Sequence, residues 1–309
     1  MKGDVALALQ PLHLAQAICE IDPARGGVII LRGAQHLAPA LACRRDITVA
    51  PIEDRHRVLR MLKACHDPFT AIHATPWNRT ALRLERAALA SGGKVTLVED
   101  GIGCYRKAGS WTAEGLLRRA VHRVVDGGRY APHVAMRTQE RNVRLVSLWP
   151  EMAAASPRPE PLDPRPFQAV LPELSKPLAA LAVYRGLPVY FDTNDVDSGW
   201  LTLEQKLAIL KDILPRQRMV YFRHPYQRDS LAEHFDNLID LTDQAKGWNE
   251  MAAYVIGAER MYSTFSSAAL GLRRMFGVSI AHTTLHAQFL ERTGAAGYEI
   301  GPDIARVIA

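Results

Sequence analysis

The chain has 309 residues, 48% hydrophobic and 23% charged, a balance that excludes a disordered or collagen-like polypeptide and suits a globular protein long enough for two domains. Its formal charge of +6 favours anionic partners: a nucleotide, an acidic glycan or anionic lipid headgroups. The four cysteines, Cys19, Cys43, Cys65 and Cys104, form no CxxC pair, which argues against a zinc knuckle or dithiol redox motif and fits a reducing compartment.

The first half alternates short apolar strands with helices. Val5–Leu9 reads as a strand, Leu12–Glu20 as a helix, and Gly27–Leu31 as a strand flanked by glycines. Strand Asp46–Ala50, helix Arg55–Cys65, strand Thr70–Ala74, helix Arg79–Ser91 and strand Lys94–Val98 follow, the last running into Glu99-Asp100-Gly101. Such alternation predicts a parallel sheet covered on both faces. Ala113–Asp126 reads as a basic amphipathic helix whose Arg118, Arg119, His122 and Arg123 suit an acidic glycan or a membrane surface. Residues 155–168 hold five prolines and read as a connector, without helix or central strand, between a domain of residues 1–154 and one of residues 169–309.

The second half repeats the alternation. Strand Leu187–Asp192 precedes helix Leu203–Leu214, and strand Arg218–Phe222 enters Arg223-His224-Pro225. Then come strand Asn237–Asp240, helix Trp248–Ile256, strand Ala258–Tyr262, the run Ser263–Ser267, helix Ala268–Phe276 and strand Val278–Ala281. The expected fold class is α/β, two Rossmann-like domains facing across a cleft. Ligands of such sheets bind beyond the carboxyl ends of the strands.

Three polar clusters fall at strand ends. In Glu99-Asp100-Gly101 one carboxylate suits a general base and the other an orienting role, while Gly101 permits close approach of the backbone. In His224-Pro225 the proline biases the histidine backbone towards an extended conformation, and the ring can donate to a phosphate or protonate a leaving group, with Arg223 and Arg228 adding positive charge. In Ser263-Thr264-Phe265-Ser266-Ser267 the hydroxyls, with Ser266 and Ser267 as helix caps, suit a phosphate or carboxylate. Thr193 and Asn194, on a further strand-end loop, are placed to touch the same ligand, and Trp77 to stack on a sugar. Asp195-Val196-Asp197 has the spacing of a cation site but no supporting context.

The ordered set Glu99-Asp100-Gly101, His224-Pro225 and Ser266-Ser267 resembles the acidic-acidic-Gly, His-Pro and serine-rich motifs of bacterial sialyltransferases and polysialyltransferases. Gln10-Pro11, after the first strand, is similar to the start of the lipooligosaccharide and polysialyltransferase branches. Asp192-Thr193-Asn194-Asp195 stands where a Gln-Pro pair is expected.

The resemblance implies a glycosyltransferase-B fold and inverting transfer of sialic acid from CMP-sialic acid to a glycan hydroxyl. Asp100 would be the base with Glu99 as alternative, and His224, as imidazolium or proton donor, would assist the leaving phosphate. No cofactor or metal is expected, since a single phosphodiester needs no divalent ion. Kdo, legionaminic or pseudaminic acid are alternative CMP-activated sugars, and a non-catalytic module binding an anionic glycan or nucleotide is the rival outside enzymology. No nucleic-acid partner is expected, because no aromatic-basic stacking motif is visible. Without a recognisable leader in Met1–Gln10, the expected location is cytoplasmic, peripheral to the inner face of a membrane.

Overall fold

The structure is a computed structural model and describes residues 3–32, 35–64, 67–74, 79–99, 142–152, 159–225, 227–264, 266–295 and 298. Asp100, Gly101, Phe265, Trp77 and the basic segment 113–126 lie outside the described residues. The chain divides into two compact units, Met1–Leu174 and Ser175–Ala309. Both are α/β, each built on a parallel sheet.

The first unit's sheet has seven strands: β1 (Asp4–Ala8), β2 (Gly27–Leu31), β3 (Ile47–Pro51), β4 (Thr70–His73), β5 (Lys94–Val98), β6 (Val143–Ser147) and β7 (Glu160–Pro161). Their order is β3-β2-β1-β4-β5-β6-β7. β1 is buried along its whole length, as a central strand covered on both faces must be. Helices α2 (Arg55–Ala64) and α3 (Arg79–Ala90) bury Val58, Leu59, Leu62, Ala81, Leu84 and Ala88 against Val5, Leu7 and Ile30. Helix α1 (Pro11–Glu20) starts on a proline, whose missing N–H is no loss in a first turn, and packs on β1 and β4. The turn from α3 into β5 requires glycine, because a Cβ on Gly93 would lie 1.9 Å from the Phe69 carbonyl oxygen.

The proline-rich stretch carries more structure than expected. Glu160–Pro161 pairs with the end of β6 as the edge strand β7, and Arg165–Gln168 forms a one-turn helix, α4, against α1. Proline is tolerated in both places, at a sheet edge and in the first turn of a helix. Leu171–Ser175 adds a further short helix, α5.

The second unit's sheet has five strands: β8 (Val189–Phe191), β9 (Met219–Phe222), β10 (Leu238–Asp240), β11 (Arg260–Ser263) and β12 (Ala281–Thr284), in the order β10-β9-β8-β11-β12. Its helices are α6 (Leu203–Ile213), α7 (Asn249–Ile256), α8 (Ala268–Arg274) and α9 (His286–Thr293). The strand expected at Val278–Ala281 lies three residues later: Val278 donates back to Leu272 at the end of α8, and the polar run Ala281–Thr284 pairs with β11. Being an edge strand, β12 needs no apolar run. From β8 the chain builds outward through β9 to β10, then returns to lay β11 and β12 on the other side. The strand order therefore reverses between β8 and β11.

Candidate active site

Parallel register places three of the four strand ends of interest in one row. Phe191 pairs with Phe222 across β8 and β9, and with Ser263 across β8 and β11. Asp192, Arg223 and Thr264 therefore stand side by side just beyond the sheet, with Thr193, Asn194 and His224 following. These loops flank the reversal of strand order, where open α/β sheets bind ligands.

The loop after β8 is set by a buried ionic cluster. The three N–H donors of Lys206, on α6, each find an oxygen: Asp192 Oδ1 at 2.7 Å, Asp195 Oδ2 at 3.1 Å and the Thr193 carbonyl at 2.8 Å. Asp192 also accepts from the Thr193 N–H at 2.8 Å and from the hydroxyls of Tyr221 at 2.8 Å and Tyr190 at 3.1 Å. The Thr193 hydroxyl donates to Asp195 at 2.5 Å. Burial disfavours the charged lysine, but the two carboxylates outweigh it and raise the Lys206 pKa overall. Burial, reinforced by Asp192, also raises that of Tyr221, so its hydroxyl remains a donor.

This cluster reaches the histidine loop. Gln227 Nε2 donates to Tyr221 Oη at 3.2 Å, and Gln227 Oε1 faces the His224 N–H at 3.4 Å. The Gln227 N–H donates to the His224 carbonyl at 2.9 Å, closing the turn around Pro225, which is exposed. His224 is half-buried, and burial lowers its pKa from 6.5 although Asp192 and Asp195 oppose the shift. The shift favours the neutral ring in the free protein, where the sequence reading had an imidazolium or a proton donor. Arg223 points along this edge to the β10 side, away from β8 and β11: its guanidinium pairs with Asp240 and Asp243, each at 3.1 Å.

The hydroxyl cluster divides into separate roles. Ser263 is buried, with its oxygen 2.8 Å from His282 Nε2. Thr264 is fully buried, and its hydroxyl has no hydrogen-bond partner among the described residues. Ser266 accepts from the Ala268 N–H at 3.1 Å, and Ser267, at the N-cap of α8, makes no side-chain capping bond. Asn194 is half-buried beside Thr193. Asp195 faces Lys206, whereas Asp197 accepts from the Arg228 N–H at 3.3 Å, so the two carboxylates of the Asp-Val-Asp run serve different partners.

In the first unit Glu99, directly after β5, is fully buried. Its Oε2 accepts from the Ser147 hydroxyl and its Oε1 from the Leu148 N–H, both at 2.6 Å, while Ser147 also accepts from the Trp149 N–H at 2.7 Å. The carboxylate thus ties the end of β5 to the end of β6.

No protein-family model and no curated protein sequence matches this chain. Solved structures do resemble it, among them two sialyltransferases. One is a 2,6-sialyltransferase of a Vibrionaceae Photobacterium species in a ternary complex with CMP and lactose: TM-score 0.53, 10% identity, covering 95% of this chain and 77% of that one. The other is the GT-B domain of a sialyltransferase from Photobacterium damselae: TM-score 0.47, 9% identity, covering 98% and 96%. At 10% identity the likeness to the first is one of fold.

Within that shared fold, the structure brings His224, Thr193, Asn194, Ser263 and Thr264 to one sheet edge, and Glu99 belongs to the chain's other unit. Sequence reasoning missed Lys206, Tyr221 and Ser147, and with Lys206 the ionic role of Asp192 and Asp195. For Lys206 a signal existed: it shares a helical stripe with Ile209, Leu210 and Ile213, and a lysine there must find anions in the core. Ser147 gave none, because β6 was not anticipated as a strand.

Proposed function

We propose that this chain is an inverting, metal-independent glycosyltransferase that moves sialic acid from CMP-sialic acid to a glycan hydroxyl. The observation that carries the reading is the row of polar residues that follow the strands at the reversal of strand order in the second unit. The shared fold with an enzyme whose structure holds CMP and lactose supports it.

In this reading the second unit holds the donor. His224, neutral, donates its ring N–H to the phosphate; Pro225 fixes its backbone. Thr264, Ser266 and Ser267 hydroxyls bind the phosphate or the sugar carboxylate, Thr193 and Asn194 line the same pocket, and Ser263 supports it through His282. The first unit supplies the base. Glu99, its oxygens already engaged by Ser147 and Leu148, positions the chain, and Asp100 takes the proton from the acceptor hydroxyl. Gly101 lets the backbone approach. The acceptor oxygen bonds the anomeric carbon as the bond to the CMP phosphate breaks, and that electron pair leaves with CMP. Hydrogen-bond donors aimed at the developing phosphate charge lower the barrier most.

The test is incubation of the chain with CMP-sialic acid and galactose- or sialic-terminated acceptors, reading released CMP and sialylated product. Absence of both from every acceptor overturns the proposal. The buried Asp192 and Asp195, in place of a Gln-Pro pair, favour a second reading with a different CMP-activated keto sugar. Donor competition with CMP-Kdo, CMP-legionaminic and CMP-pseudaminic acid separates the two. CMP binding without turnover of any donor would indicate a non-catalytic module.

A further inference from the structure

The loop that carries His224 is anchored on either side of the histidine. At its start both backbone groups of Arg223 are taken: the N–H donates to Thr242 Oγ1 at 2.8 Å, and the carbonyl accepts from Asn249 Nδ2 at 3.1 Å. Further on, the Arg228 N–H donates to Asp197 at 3.3 Å. Between these anchors both backbone groups of His224 meet one residue, Gln227. The Gln227 N–H donates to the His224 carbonyl at 2.9 Å, closing a turn with Pro225 at its second position, where the fixed φ of proline is favoured. Gln227 Oε1 accepts from the His224 N–H at 3.4 Å.

The other end of the same amide fixes its orientation. Gln227 Nε2 donates to Tyr221 Oη at 3.2 Å and to the Asp229 carbonyl at 3.0 Å. Tyr221 gives its own proton to Asp192 Oδ2 at 2.8 Å, so towards Gln227 its oxygen can only accept. A flipped amide would set its oxygen against two acceptors and its NH2 against the His224 N–H. Each bond of the chain therefore has one direction: Lys206 to Asp192, Tyr221 to Asp192, Gln227 to Tyr221, and His224 to Gln227. Lys206, Asp192 and Tyr221 are buried, whereas Gln227 is half-buried. Gln227 thus carries a fixed reference from the buried cluster out to the histidine loop.

We propose that Gln227 is a positioning residue, which aims His224 by tying its backbone to the Lys206–Asp192–Tyr221 cluster. The aiming is a property of the free chain; its consequence for transfer rests on the reading of His224 as the phosphate donor. The role requires an amide, with one accepting and one donating end. Gln227→Ala cuts the link. Gln227→Glu keeps the length and the acceptor for His224, but turns a second oxygen towards Tyr221 Oη and the Asp229 carbonyl, which then lose their donor.

The test has a ligand-free arm and a ligand arm, both on the full chain, with urea midpoints confirming that each variant is folded. In the first arm the proton–carbon correlation of the His224 ring, assigned by its loss in His224→Asn, is followed by NMR at one pH. Gln227→Ala should move it towards the position of a solvent-exposed histidine. Tyr221→Phe, which cuts the chain one link earlier, should move it the same way. The double variant should move it no further than the larger single shift, because members of one network are not additive. In the second arm CMP is titrated by calorimetry. Gln227→Ala should weaken binding about fivefold, and Gln227→Glu more. Donor kcat/KM should fall by about tenfold or more in both, since a misaimed ring loses most in the transition state. An unmoved His224 correlation in Gln227→Ala overturns the proposal, as do shifts that add in full in the double variant, or wild-type CMP affinity in Gln227→Glu. A displaced ring in a chain whose wild type binds no CMP would support the clamp and overturn instead the donor reading of the site.

Discussion

Lys206 is the residue on which the carboxyl edge of the second sheet depends. Its ammonium is fully buried between Asp192 and Asp195, and removing one partner of a buried ion group leaves the others uncompensated. Lys206→Met should therefore destabilise the second unit by about 3–5 kcal/mol, read as a lower urea midpoint in the fluorescence of Trp200 and Trp248. Adding Asp192→Asn and Asp195→Asn should recover part of the loss; a single variant as stable as wild type would show that the cluster does not hold this edge. At His224 the sign of the shift makes a second prediction. Burial lowers its pKa below 6.5, so the free protein carries a neutral ring at pH 7 and gains a proton only as pH falls through that lowered value. Since kcat/KM reports groups of the free enzyme, donor kcat/KM should be flat near neutrality and decline on the acid side below pH 6.5. His224→Asn, which keeps an N–H donor but does not titrate, should lose that decline. Activity that instead rises as the pH is lowered towards 5 would assign the work to the imidazolium. The rotation of Arg223 towards Asp240 and Asp243 was invisible in the sequence, because nothing local says which way a long side chain turns at a strand end.

Among the elements, those formed by uniform apolar runs were legible and those that depend on partners were not. Gly27–Leu31 and Lys94–Val98 form strands at the bounds their sequence indicates, since a central parallel strand needs apolar residues on both faces. β12 reads Ala-His-Thr-Thr; only pairing with β11 makes it a strand. β7, the dipeptide Glu160–Pro161, was missed for the same reason; β6 was missed although Val143, Leu145 and Val146 carry an apolar pattern, and it supplies the Ser147 that holds Glu99. Helix α6 was read from its periodicity, and its start is secured by a reciprocal cap: the Gln205 N–H donates to Thr202 Oγ1 at 3.2 Å, and the Thr202 N–H donates to Gln205 Oε1 at 2.8 Å. Thr202→Ala removes the side-chain half and should lower stability by about 1 kcal/mol, measured by chemical denaturation. The same variant should leave CMP affinity unchanged, because the cap lies at the far end of a turn from Lys206 and touches none of its three partners. A larger loss would mean that the start of α6, not the ion cluster alone, positions the loop after β8.

For the whole molecule, the alternation of strands and helices was enough to anticipate two parallel sheets, and the polar clusters were legible because polar residues that interrupt apolar runs fall at strand ends. Strand order was not, and with it the nearness of Thr193 and Thr264, more than 70 positions apart in the chain yet in the loops that follow the neighbouring strands β8 and β11. That nearness sets the last prediction, a division of labour between the units. If the second unit holds the donor and the first supplies the base, substitutions in each should fail differently. Asp100→Asn keeps the shape of the side chain and removes the proton acceptor, so it should lower turnover about a hundredfold or more while CMP binds as in wild type. His224→Ala removes a phosphate donor from the second unit, so it should weaken CMP binding and also lower turnover, by about a hundredfold, because the same hydrogen bond strengthens as the phosphate departs. Calorimetric titration with CMP, alongside steady-state rates for both variants, tells the outcomes apart. Equal loss of CMP affinity in the two variants would mean that Asp100 belongs to the donor pocket, and the base would then have to be sought elsewhere. Full turnover in Asp100→Asn would remove the carboxylate from the reaction altogether, leaving the fold and the donor edge intact but the chemistry unassigned.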